Sequence, residues 1–173
     1  MRRWLPLVPL AGAMLFVLTD GRAASRPSAE HVNRCGGRSM AEFPNGFRDR
    51  RNLVVGPLAM SGARTFTTAE TVREFGGNKF PLFVRNGRRV TIELTRGSAR
   101  AAGLSYGSRH GGHRVVRFVA CRRNSGSTAG DAPVTFWSGF VTARRPLCVR
   151  MRVWVDDEPE PRPAHIELGR RCD

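Results

Sequence analysis

VVRFVAC (residues 115–121), TFWSGFV (135–141) and CVRMRVWV (148–155) decide how this chain folds. Each run is short, rich in β-branched and aromatic residues, and bounded by polar or basic turns, the pattern of strands. Val116, Phe118 and Ala120 share one face of the first. Val149, Met151, Val153 and Val155 share one face of the last, with Arg150, Arg152 and Trp154 opposite. Both cysteines, Cys121 and Cys148, fall on the arginine-bearing parity. A bond between them is expected to staple the rim of a sheet rather than its core.

Upstream, LVVGPL (53–58) reads as a strand broken at Gly56-Pro57, where proline's missing N–H predicts an edge position or a bulge. Thr67-Thr68-Ala69-Glu70 fits a capping box and Gly76-Gly77 a stop, which predicts one short helix with Val72 and Phe75 on its inner face. Residues 80–94 read as a hairpin. A loop of Arg85-Asn86-Gly87, with Gly87 left-handed, sets Leu82 opposite Val90 and Phe80 opposite Ile92, so burial selects that register. GLSYG (103–107) and Ala164–Leu168 supply two further strands. The fold class is therefore all-β: a Greek-key or immunoglobulin-like β-sandwich of about eight strands with one short helix, stapled by two disulfides.

The N-terminus supplies an address. Met1-Arg2-Arg3 precedes an apolar run, Trp4 to Thr19, and Gly21-Arg22-Ala23 places small residues for cleavage. The run is shorter than the roughly 20 residues of a membrane span. Residues 1–23 are expected to be a signal peptide, 24–50 a polar arm and 51–173 the sandwich, with no transmembrane span in the mature chain. Export makes the four cysteines, none in a Cys-x-x-Cys pair, two disulfides. Three pairings are possible. Cys35–Cys172 tying the termini, with Cys121–Cys148 closing a loop worth roughly 3–4 kcal/mol, is the favoured one. The second bond would make the 115–121 and 148–155 strands antiparallel and force Arg122–Pro133 to cross the domain.

NLVVGPL (52–58), FPLFVRNG (80–87), GLSYG (103–107), VRFVAC (116–121) and FWSGFV (136–141) resemble a pattern in exported proteins of high-GC Gram-positive bacteria. The resemblance covers about residues 52–172. It implies a secreted β-domain family with no established activity, and assigns no catalytic residue.

Net charge is +15, carried by 28 arginines and Lys79. Such a charge suits anionic partners, and an all-arginine bias is also what a GC-rich genome gives any solubilising surface. Arg122-Arg123 follow Cys121 and Arg144-Arg145 precede Cys148, so the favoured disulfide predicts an anion-binding pole of four guanidiniums. Phe136 and Trp137 are the stacking candidates beside it.

Other chemistry has weaker support. His110-Gly-Gly-His113 lacks the further ligands that zinc requires, and no metal site is expected. Asp156-Asp-Glu-Pro-Glu-Pro-Arg-Pro163 reads as an extended connector, its carboxylates facing neighbouring arginines. No phosphate loop precedes a helix, so no cofactor, nucleotide or otherwise, is expected. Ser138, His113 and Asp131 can be drawn as a triad without a Gly-x-Ser-x-Gly elbow. The expectation is a secreted or extracellular, cell-surface-associated protein that binds without catalysis. Its expected partner is an anionic polymer or cell-envelope component, and a cryptic hydrolase is the alternative.

Overall fold

The computed structural model describes residues 25–107 and 112–173. The leader expected over 1–23, and His110, lie outside these residues. Fourteen strands form among the described residues. In chain order the first six are β1 (His31–Arg34), β2 (Glu42–Phe43), β3 (Leu53–Val55), β4 (Leu58–Met60), β5 (Gly77–Lys79) and β6 (Leu82–Arg85). Then come β7 (Arg89–Leu94), β8 (Ala102–Tyr106), β9 (Val115–Val119) and β10 (Ser127–Ala129). The last are β11 (Ala132–Trp137), β12 (Gly139–Ala143), β13 (Leu147–Val155) and β14 (Arg162–Leu168). Helix α1 (Ala69–Phe75) precedes β5, and the short α2 (Arg96–Ala99) follows β7.

One layer is the sheet β1-β9-β7-β13-β14. The other is the sheet β2-β10-β11-β6-β4-β3, extended by β5-β12-β8. The extension is continuous. β5 pairs with β12 as β6 pairs with β11, and only Phe80-Pro81 and Ser138 interrupt the two long strands. The parities read above hold. Val90, Ile92, Val116, Phe118, Val149, Met151 and Val153 from one layer meet Leu58, Met60, Leu82 and Val84 from the other in a single core. The chain is an all-β sandwich with two disulfides, as its sequence implies, built of more and shorter strands than about eight.

Several connections differ from expectation. The hairpin over 80–94 does not form: β6 pairs with β4 and β11, and β7 with β9 and β13, so the chain arches between layers. Alternation says which side chains are buried and is silent on which strand lies next door. Gly87 does adopt the left-handed conformation, at φ 79°. Gly56-Pro57 is a two-residue hairpin loop joining β3 to β4, so Pro57 lies outside the ladder, and β3 is the edge strand of its sheet. Thr68 caps α1, its hydroxyl accepting from the Thr71 N–H at 3.1 Å, and Gly76 ends it at φ 65°. Val72 is buried, whereas Phe75 points to solvent.

Residues 31–48 are part of the sandwich rather than a separate arm. β1 pairs in parallel with β9, and the Asn33 amide donates to the Tyr106 carbonyl at 3.0 Å. Phe43 and Phe47 cover Phe83 and Phe136 on the outer side of the second layer, with Phe43–Phe83 centroids 4.4 Å apart. That small second core explains why β6 is buried on both faces, Phe83 included. The outer side of the first layer is closed differently. Glu93, 3% exposed, accepts from Arg114 and Arg152 at 2.8 Å each and from the Trp154 indole at 3.5 Å. Arg26 lies over the Trp154 ring, 5.9 Å from its centroid. Three donors on one carboxylate keep a buried charge compensated.

The disulfides are Cys35–Cys121 and Cys148–Cys172, not the pairing favoured from sequence. Parallel pairing of β1 with β9 carries Cys35 and Cys121 to the same end of adjacent strands. Antiparallel pairing of β13 with β14 does the same for Cys148 and the segment after β14. Cys121 is buried, so the first bond is not a rim staple; Cys148–Cys172 is. β9 and β13 both run antiparallel to β7, hence parallel to one another. Arg122–Pro133 therefore changes layer without traversing the domain, and spends its length on β10. The Asn86 N–H bonds the Pro133 carbonyl at 3.1 Å, which places the start of β11 beside the end of β9.

Candidate anion-binding site

The site lies where β13 begins and the chain leaves β14. In the antiparallel register Cys148 faces Glu167, and Gly169, left-handed at φ 71°, turns the chain back so that Cys172 reaches Cys148. A Cβ on Gly169 would come within 2.8 Å of the Ala69 backbone, so this reversal needs glycine. The bond holds Arg170 and Arg171 beside Arg145 and Arg150. Helix α2 forms the facing wall. Ser98 Oγ accepts from the Arg150 N–H at 2.8 Å, and the Thr95 N–H donates to the Arg150 carbonyl at 3.0 Å. Between them opens a cleft of about 320 Å³.

Arg171 is fixed. It donates to Glu167 at 2.8 Å and lies over the Phe66 ring, 4.5 Å from its centroid. The Cys172 N–H beside Glu167 holds that carboxyl below the usual carboxylate range, reinforced by Arg171 and opposed by desolvation. Arg150 donates to the Asp173 main-chain oxygen at 2.8 Å. Among the described residues, no side-chain carboxylate lies within 4.0 Å of Arg145, Arg150 or Arg170.

The opposite end of the same sheet has the reverse character. There Asp156 pairs with Arg88 at 2.5 Å, Asp157 with Arg89 at 2.7 Å and Arg26 at 3.8 Å, and Glu158 with Arg162 at 2.8 Å. The 156–163 connector thus faces neighbouring arginines, as its sequence suggests. At one end Arg88, Arg89 and Arg162 are ion-paired, whereas at the other Arg145 and Arg170 line the cleft with no side-chain carboxylate within 4.0 Å among the described residues, beside Arg150 and Asp173. Planar guanidinium forks match phosphate or carboxylate oxygens in pairs, so the chemistry offered is capture of an oxyanion.

Arg122 and Arg123 do not join this site. They follow β9 at the paired end, where the Asn86 amide donates to the Arg123 carbonyl at 2.5 Å. Arg144 and Arg145 precede β13 at the other end, about 25 Å away along the strand. The four-arginine pole fails because its disulfide does not form. Arg145 instead meets Arg150, Arg170 and Arg171. Sequence reasoning missed these three, although Arg170-Arg171 directly precede Cys172, the same doublet-and-cysteine arrangement that singled out the others. Trp137 and Phe136 are buried on opposite sides of the second layer and offer no stacking surface.

The remaining candidates are dispersed. Asp131 and Ser138 flank β11 at its two ends, about 20 Å apart, so the drawn triad with His113 is not assembled. The His113 ring stacks on His31, centroids 5.1 Å apart. Among the described residues no three His, Cys, Asp or Glu side chains are grouped to hold a metal. No helix there is long and apolar enough to cross a membrane. No protein-family model matches the chain, and no curated protein is similar to it.

Proposed function

We propose that this chain is a secreted, non-catalytic binding protein of the extracellular space or cell surface, and that it captures anionic polymer at the Cys148–Cys172 end. One observation carries the reading: among the described residues Arg145, Arg150 and Arg170 line one cleft with no side-chain carboxylate within 4.0 Å, although Asp173 also lines it, while Arg88, Arg89 and Arg162 at the far end of the same sheet are ion-paired. Charge left uncompensated at one place is where counter-ions concentrate. The disulfides, the strongly basic composition and the leader-like N-terminus support an exported setting. So does the resemblance to exported β-domains, and membership of that family is part of the proposal.

The test compares two variants of equal net charge. R145Q/R150Q/R170Q removes the cleft arginines, and R50Q/R122Q/R123Q removes three exposed ones elsewhere. Retention on an immobilised polyanion should fall much further for the first. Equal retention of the two variants refutes the site.

A further inference from the structure

A second cleft of about 400 Å³ adjoins the first, lined by Arg100 and Arg144 over a floor of Gly103 and Gly112. The two share their walls. Thr95 and Ser98 line the first and Ala99 and Arg100 the second, so α2 is the ridge between them. The consecutive residues Arg144 and Arg145 likewise diverge, one into each cleft. The floor of the second is flat main chain. A Cβ on Gly103 would lie 2.5 Å from Gly112, and one on Gly112 would lie 2.4 Å from Gly103. Arg100 and Arg144 have no carboxylate within 4.0 Å among the described residues, as with Arg145, Arg150 and Arg170.

We infer that the ligand is a linear phosphate polymer lying across α2, with successive phosphates in the two clefts. This rests on the anion-binding reading above and specifies its ligand. Extent is the first argument. At roughly 30 Å³ per water, the clefts hold about eleven and about thirteen waters, far more than one oxyanion displaces. A chain of repeating charge fills both. The lining is the second. Among the described residues neither cleft presents an aromatic ring, and Phe66 lies under Arg171 without lining the site. Base stacking on aromatic side chains is the main sequence-independent grip on single-stranded nucleic acid, and none is offered. Polyuronates carry their charge on pyranose rings that favour similar platforms. A polymer whose charge lies in a ring-free backbone, inorganic polyphosphate or a polyol phosphate, matches arginines set among small and aliphatic residues, with Asp173 at the edge of the first cleft.

The experiment measures affinity for long-chain polyphosphate, tripolyphosphate, poly(glycerol phosphate), polygalacturonate and single-stranded DNA across a salt series. Long-chain polyphosphate should bind about 100-fold tighter than tripolyphosphate, because occupying the first cleft makes the second contact intramolecular. Five phosphate contacts predict a log–log salt slope of about −3.5, and R100Q/R144Q should reduce it to about −2 with an unchanged melting temperature. The two phosphate polymers distinguish a free polyphosphate from a polyol-phosphate chain. Tripolyphosphate binding as tightly as the long chain, or an unchanged slope in R100Q/R144Q, overturns the two-cleft inference and leaves anion binding standing. Polygalacturonate or DNA binding as tightly as either phosphate polymer overturns the choice of phosphate. Binding of no polyanion at all removes the anion-binding reading itself.

Discussion

Glu167 is the residue through which solution pH reaches the site. Its carboxyl is held low by the Cys172 N–H and by Arg171, so the folded state favours the carboxylate more than the unfolded chain does. That contribution is fully present above the unfolded pKa and is lost as pH falls through the lower folded value. Over the same interval Arg171 loses its partner and the cleft gains one unit of positive charge, while the internal phosphates of a polyphosphate chain stay ionised. Polyphosphate affinity should therefore rise, and stability fall, as pH drops below the ordinary glutamate value of about 4.3. The affinity of E167Q should already be raised at neutral pH and its profile flatter. Superimposable profiles for E167Q and the native chain would show that Glu167 does not gate the cleft.

At the scale of elements, the two disulfides do different work. Cys35–Cys121 spans 86 residues and Cys148–Cys172 spans 24, and the chain-entropy model values them at about 4.6 and about 3.5 kcal/mol. C35S/C121S should thus cost more stability in urea denaturation, yet leave polyanion affinity near native. C148S/C172S should cost less stability and more of the affinity, because that bond is the covalent tie that holds Arg170 and Arg171 beside Arg145 and Arg150. Affinity tracking stability in both variants would contradict this division. The strands themselves were legible. Val149, Met151, Val153 and Val155 alternate cleanly, and every one is buried. Partners were not legible. Leu82 and Val84 satisfy a hairpin with Val90 and Ile92 and an arch across the core equally well, since both bury the same side chains. Cysteine pairing is underdetermined for the same reason: four cysteines allow three patterns, and strand neighbours choose among them.

For the whole molecule, polarity of charge matters more than its sum. A composition of 28 arginines and Lys79 states that the surface is basic, and says nothing of where acids cancel it. Asp156, Asp157 and Glu158 neutralise one end only because β13 and β14 deliver them beside β7. Part of the candidate site, Arg144 and Arg145, was therefore legible as a doublet. The part that arrives by way of β14 depended on long-range pairing. Orientation follows. An arginine-selective reagent should modify exposed residues at both ends of the free protein, whereas bound polyphosphate should protect Arg100, Arg144, Arg145, Arg150 and Arg170 and leave Arg122 and Arg123 reactive. Mass spectrometry of peptides reads this directly, and uniform protection would mean that the polymer wraps the surface without a preferred end.

The parallel pairing of β1 with β9 also constrains the order in which the chain takes shape. Among the described residues β1 and β2 find their only strand partners in β9 and β10, far downstream. Whichever way the polypeptide is delivered, β1 must wait unpaired until residue 119 has emerged and β2 until residue 129. During that interval Phe43 and Phe47 have nothing to cover, and Cys35 is a free thiol in search of Cys121. Closing so long a loop before any contact rewards it makes for slow, late assembly. The N-terminal segment is made first and docks last, as a latch that reports completion of the sheet beneath it.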